Sequence, residues 1–246
     1  MNVLDMLYNF RVEFGGFLQG PNAYEPTSDD ILYFLNKAQI NFVKNNFSGL
    51  NERREGFEQS QRVIDELRVF HKKNIEAPTT YAGISKSGYY IDRANIPSDS
   101  MFIISTASNV IYPQGTDAIN AGIIGSVREL KPGTNVYKEI IVDNDFSQSD
   151  DIYSLLSDPF NTTKKTSPLT DINEDYINVY TDKTFFVDKI FINYIREPQE
   201  IIFIDKDDGG NKDCELPDFV HTKIVEDAVN LLLLSLSKLS TNNNTN

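Results

Sequence analysis

The acidic run Asp205-Lys-Asp-Asp-Gly-Gly-Asn-Lys-Asp-Cys-Glu215 is the stretch whose residue types could most readily do chemistry. Carboxylates at that density suit a hard cation such as calcium. A helix–loop–helix calcium loop opening at Asp205 needs Asp or Asn at its fifth position and a bidentate Glu at its twelfth. Those positions hold Gly209 and Leu216; only Gly210, at position six, fits. The run therefore reads as a solvated hairpin or linker. The two histidines are His71 and His221. His221 follows Val220 in a long apolar stretch and reads as a structural or interface residue, since no Gly-x-Ser-x-Gly elbow exists to pair with it. His71 is expected at a helix C-terminus, where the dipole favours a cation. Cys214 stands between Asp213 and Glu215, whose charges disfavour a thiolate nucleophile. Gly83-Ile-Ser-Lys-Ser-Gly88 lacks the spacing of a phosphate-binding loop. Glu52-Arg-Arg-Glu55 reads as a solvated charge cluster at a helix start. The residues thus nominate no catalytic, cofactor-binding or metal site, and the chain is expected not to be an enzyme.

The totals narrow the class further. The 246 residues are enough for one large domain or two smaller ones with a real core. A single cysteine excludes an internal disulfide and a cysteine-built zinc site. The net charge of −13 argues against nucleic-acid binding by bulk charge, because a phosphate-binding surface must be positive. No run approaches the roughly 18 to 20 apolar residues that span a bilayer. The opening Met-Asn-Val-Leu-Asp-Met lacks the basic region of a signal peptide, so a soluble product made in the cytoplasm is expected.

The elements that would position these residues fall into two kinds. Leu216–Leu239 carries apolar residues at Val220, Ile224, Val225, Ala228, Val229, Leu231, Leu232, Leu236 and Leu239. That is helical spacing with a stripe too wide for one contact. Its partners must come from the N-terminal part. There Val3, Leu4, Leu7, Phe10 and Phe14 make one helix, and Ile31, Phe34, Leu35, Ala38, Phe42 and Val43 a second, capped by Thr27 and Asp30. Phe57, Ile64, Leu67 and Phe70 mark a third, capped by Asn51, ending near Lys72–Asn74 and closed by Pro78. Between the two ends, aromatic and β-branched runs alternate with turn residues, as strands do. Expected strands are Tyr89–Asp92, Phe102–Thr106, Ile124–Glu129, Val136–Ile141, Tyr176–Tyr180, Lys189–Tyr194 and Ile201–Phe203, with Phe185–Val187 as a short one. Asp150–Leu156 is expected as a short helix. The expected fold is α+β: a helical bundle from both chain ends, residues 1–78 with 212–246, and an inserted antiparallel β-sandwich or small barrel, residues 79–211.

Four stretches carry a resemblance. They are Ser28-Asp-Asp-Ile-Leu-Tyr-Phe-Leu-Asn-Lys-Ala-Gln with Phe42-Val-Lys-Asn; Phe57-Glu-Gln-Ser-Gln-Arg-Val-Ile-Asp-Glu-Leu-Arg; Asp158-Pro-Phe-Asn-Thr-Thr with Tyr176-Ile-Asn-Val-Tyr and Phe191-Ile-Asn-Tyr-Ile-Arg-Glu-Pro; and Cys214-Glu-Leu-Pro-Asp-Phe-Val-His-Thr-Lys-Ile-Val-Glu-Asp-Ala-Val. Together they resemble virion structural proteins of crAss-like, short-tailed phages, among them a ring protein of the portal–tail region. The layout is also similar to the head–tail adaptor, or tail-tube gatekeeper, of other short-tailed phages. The resemblance implies a structural ring protein of the neck or tail, connecting portal to tail and lining or sealing the DNA exit channel. The implied partners are further copies in a twelvefold ring, the portal and adjacent tail rings, without sequence-specific DNA binding and without a membrane. The implied place is the virion. Asp143–Asp151 and Asp158–Asp171 are the expected contact loops, one of them ordering on assembly. Two other readings stand beside this one: a tail-stabilising or cargo-associated virion protein, and a glycan-degrading β-domain, whose carboxylates leave no local signature.

Overall fold

The computed structural model describes residues 1–17, 24–50, 56, 61–113, 137–182, 184–204 and 210–243. Among them the chain is α+β, with five helices and one eight-stranded sheet. It divides into two compact units, Met1–Phe70 with Glu197–Asn246, and His71–Arg196.

In the first unit, helix α1 (Val3–Gly15) starts with a capping box, in which the Asn2 side chain accepts from the Asp5 N–H at 2.8 Å. Its inner face buries Val3, Met6, Leu7, Phe10 and Phe14. Leu4, expected in that stripe, is instead exposed on the outer face. Helix α2 (Ser28–Ser48) begins at the Thr27–Asp30 capping box that the sequence predicts. It ends at Gly49, whose φ of 75° is the left-handed conformation that suits glycine after a helix. Helix α3 (Gln61–Leu67) buries Val63, Glu66 and Leu67, leaving Ile64 half-buried. It tightens into a 3₁₀ turn, Arg68–Phe70, and stops there. The expected continuation to Lys72–Asn74 and Pro78 is a correction, since His71 already begins a strand. The expected cap Asn51, the cluster Glu52–Glu55 and Phe57 lie outside the described residues. The long helix α5 (Asp218–Asn243) packs on α1 and α2 and buries Val220, Ile224, Val225, Ala228, Val229 and Leu232. Leu231 and Leu236 are half-buried, and the Leu239 side chain is outside the described residues. No helix among the described residues is long and apolar enough to cross a membrane.

The second unit is built on the sheet. Its strands are β1 (His71–Ile84), β2 (Tyr90–Asn95), β3 (Ser100–Pro113), β4 (Tyr137–Asp143), β5 (Asp145–Phe146), β6 (Leu169–Asn173), β7 (Tyr176–Thr181) and β8 (Phe186–Arg196). Their order is β4-β3-β8-β1-β2-β7-β6-β5. The two edge strands, β4 and β5, are consecutive in the chain and separated by Asn144 alone. One extended segment therefore pairs with β3 at one edge and β6 at the other. The sheet is nearly closed and barrel-like rather than a sandwich. Its pairs are antiparallel except β5 with β6, which is parallel. The inner face carries Ala94, Val110, Ile177, Val179, Ile190 and Ile192. Successive strand residues face opposite sides, so Tyr180 and Leu169 lie outside, where Ile152 and Leu156 of the short helix α4 (Ile152–Ser157) cover them.

The structure differs from the strand expectations. β1, β5 and β6 are additional strands, the last two overlapping the segments Asp143–Asp151 and Asp158–Asp171 expected as loops. Ile201–Phe203 is not a strand and contributes only an isolated bridge, Ile202 with Lys212. Ile124–Glu129 lies outside the described residues.

Candidate interaction surfaces

The residues singled out for chemistry take structural positions. His221 is buried, and its Nε2 is 2.7 Å from the Leu216 carbonyl, tying down the entry to α5. Its Nδ1 is 3.5 Å from an Asp218 oxygen that also receives the Met1 amino group at 2.6 Å. Cys214 is buried, and its thiol donates to Gln39 Oε1 at 3.0 Å. Burial pushes that thiol up to about 11, so it stays protonated near neutrality. His71 is at the start of β1, paired with Ile195, and not at a helix end. Gly83–Gly88 is the β1–β2 hairpin. The Ser85 N–H donates to the Tyr89 carbonyl at 2.8 Å, and the Tyr89 N–H donates to Ser85 Oγ at 3.0 Å. Of the acidic run, Lys212 makes an isolated bridge with Ile202, and residues 205–209 lie outside the described ones. Among the described residues no three His, Cys, Asp or Glu side chains gather as metal ligands would.

What sequence reading missed is polar packing. Gln39 is buried on α2, one helical turn from Asn36. Asn36 Nδ2 donates to the Ile201 carbonyl at 3.1 Å, and its Oδ1 accepts from the Ile201 N–H at 2.7 Å. Gln39 Nε2 donates to the Gln199 carbonyl at 2.9 Å. The Gln199–Ile201 segment thus finds backbone partners on side chains of α2, and the Gln199 N–H donates to Glu215 Oε2 at 2.8 Å. The i, i+3 spacing of two amides among apolar residues was the available signal.

The surface features are apolar. Leu4, Tyr8 and Val12 form a second stripe along the outside of α1, with Tyr8 68% exposed. One side of it opens into a groove of about 600 Å³, walled by Leu4, Leu7, Tyr8 and Phe203 and rimmed by Arg11 and Asp29. Arg11 Nη2 is held there by Ser28 Oγ at 3.0 Å. Among the described loops, the segment after α4 presents Phe160 at 82% exposure. Its shape comes from Asp158. The Phe160 N–H donates to Asp158 Oδ1 at 2.9 Å and Asn161 Nδ2 donates to Oδ2 at 2.7 Å. Those two donors hold the carboxyl below the usual range. Lys164 Nζ donates to the Phe160 carbonyl at 2.8 Å, and Thr163 Oγ1 anchors the base of the loop on the Tyr180 carbonyl at 2.6 Å. The expectation that such a loop takes shape only on assembly does not fit a segment braced this fully by its own side chains. Asp143–Asp151, the other expected contact loop, contains β5 and the turn into α4.

Comparison with known proteins finds two similarities. Residues 138–245 match the family described as phage tail ring protein 3/4. The chain is also 27% identical over 221 residues to "Ring protein 3" of Bacteroides phage crAss001, covering 85% of each chain. Both matches are named for a ring protein.

Proposed function

We propose that this chain, a virion protein of the crAss-like phage ring kind, closes with copies of itself into the ring that connects portal to tail. The observation that carries this reading is the match to ring proteins over residues 138–245, which runs from β4 through α5. In the proposal the unit made from both chain ends is a helical bundle domain, and the His71–Arg196 unit is a β domain inserted into it. The ring is twelvefold, with the portal on one side and another tail ring on the other, and its bore lines or seals the DNA exit channel. No reaction is assigned to it.

Three physical points support the reading. A head-to-tail contact whose rotation closes builds a ring without twofold symmetry, and it needs two different surfaces on one chain. The exposed α1 stripe and the Phe160 loop supply apolar surface of that kind. A net charge of −13 repels phosphates, so DNA slides past such a ring without adhering. Imaging of the purified protein, alone and mixed with its portal, tests the proposal directly. Closed rings with a countable symmetry that capture portal and release DNA at moderate salt are the expected result. A protein that stays monomeric under both conditions, or one that degrades glycans, overturns it.

A further inference from the structure

We infer that neighbouring copies in the ring are joined by Phe160 of one copy seated in the α1–α2 groove of the next. This deepens the ring reading and rests on it. Phe160 is the most exposed large apolar side chain among the described residues. It is not on a slack loop. Asp158, Asn161, Lys164 and Thr163 fix its backbone through the hydrogen bonds given above, and Thr162 Oγ1 adds one to the Tyr89 hydroxyl at 2.8 Å. An aromatic group held rigidly in its binding conformation loses little freedom when a pocket closes on it. Aromatic anchors in pockets are also the usual centre of a protein interface.

The groove has the complementary character. Its volume of about 600 Å³ is in the range of sites that engulf a ring-sized group, and Leu4, Leu7, Tyr8 and Phe203 give it apolar walls. Charge contributes to the choice of occupant. Lys164 is exposed beside Phe160, with its Nζ on the Phe160 carbonyl, and the groove rim carries the exposed Asp29 together with Arg11, which donates to Ser28 Oγ. In a chain with a net charge of −13, a local basic element facing an acidic one favours self-contact, and Lys164 opposite Asp29 supplies one such pair. Knob and groove are different surfaces, so the contact is heterologous and propagates from copy to copy.

The test uses the full chain carrying Phe160→Asp or Tyr8→Asp, both at exposed positions, with the thermal midpoint as a fold control. Self-association, read by light scattering and imaging, should weaken about thirtyfold or more in each variant, so that neither forms rings. Mixed together, the variants should form one-to-one dimers that stop there. The Phe160→Asp chain keeps an intact groove, and the Tyr8→Asp chain keeps an intact anchor. Rings persisting in either variant overturn this contact while leaving the ring reading in place. So does a Phe160→Asp chain that forms rings normally but no longer captures portal, because Phe160 then meets a different protein. Wild-type chain that forms no rings, alone or with portal, overturns the ring reading and this contact with it.

Discussion

Asn144 donates twice to Thr106: its side-chain Nδ2 to Oγ1 at 2.8 Å and its backbone N–H to the carbonyl at 3.1 Å. Asn144 is the residue at which the edge segment leaves β3 and turns to β6. Next to it, Asp145 N–H donates to the Pro168 carbonyl at 2.9 Å, and Ser167 Oγ donates to the Asp145 carboxylate. The two bonds to Thr106 therefore sit at the point where the sheet nearly closes. Asn144→Ala is expected to lower unfolding free energy by about 1–3 kcal/mol, since it leaves the buried Thr106 hydroxyl without that donor. Denaturant titration measures this. Hydrogen exchange at Ser147, whose N–H bonds the Thr170 carbonyl, should accelerate in the same variant. Unchanged stability and unchanged exchange would show that closure is held elsewhere.

Helix α2 makes a comparable use of amides. Asn36 bonds both the N–H and the carbonyl of Ile201, as a neighbouring strand would, and Gln39 links Gln199 to Cys214. Gln39→Leu removes a partner from the Gln199 carbonyl and from a buried thiol at once. A loss of about 1–3 kcal/mol is expected by chemical denaturation. Asn36→Ala should show a loss of similar size. If either variant matches the wild type, the segment at Gln199–Ile201 is held by its apolar contacts, such as buried Ile201, instead.

These amides mark the limit of what the sequence disclosed. The Thr27–Asp30 box, the α1 and α5 inner stripes, β7 and β8 were legible because periodicity and capping chemistry are local. β1 was not. Its residues are mostly exposed, it carries Pro78, and it bends at Asn74, whose φ of 53° accompanies the register shift between Lys72 and Ile75. Lys72-Lys-Asn74 consequently read as a helix end, while pairing with β8 makes it part of a strand. Ile201–Phe203 failed in the opposite sense: it has strand residues, but Ile201 bonds the Asn36 side chain and Ile202 makes a single isolated bridge to Lys212. Among the surfaces, Asp158-Pro-Phe-Asn is legible as a turn. That the phenyl ring points to solvent depends on where α4 and the sheet direct the chain, which no local pattern encodes. The second stripe on α1 was hidden because Leu4 fits both stripes by spacing.

Gly88 offers a test with a clean cause. It closes the β1–β2 hairpin with φ of 82°, donating its N–H to the Ser85 carbonyl at 2.9 Å, and a Cβ there would meet nothing within 4 Å. The penalty for Gly88→Ala is therefore backbone strain alone, about 1–2 kcal/mol. Gly88→Asn should lose less, because asparagine tolerates this conformation better. Thermal unfolding of the two variants checks the order; equal losses would point to something other than the dihedral.

Burial makes Cys214 a reporter of opening in the helical unit. Its thiol is raised to about 11 and is covered by neighbouring residues. Alkylation at pH 8 should be slow in the native chain and fast in denaturant. Gln39→Leu should speed the native reaction by loosening the cover. A native thiol that reacts as fast as the unfolded one would contradict the burial described above.

The Asp158 carboxylate links the Phe160 loop to pH. Its two donors, the Phe160 N–H and the Asn161 amide, favour the charged form, so its folded pKa lies below the unfolded value. A depressed carboxylate contributes stability above the unfolded pKa and loses it as pH falls through the folded one. The loop should hold its shape through neutral and mildly acidic pH and loosen only below the ordinary carboxylate range. Protonation removes one acceptor, and the Phe160 amide becomes free to exchange. Asp158→Asn should lower amide protection at neutral pH, because the neutral side chain binds these donors less strongly. Amide exchange at Phe160, followed from pH 7 downward in both chains, is the measurement. Protection that falls already near neutrality, or that is unaffected by Asp158→Asn, would mean that the backbone and Lys164 hold the loop without the carboxylate.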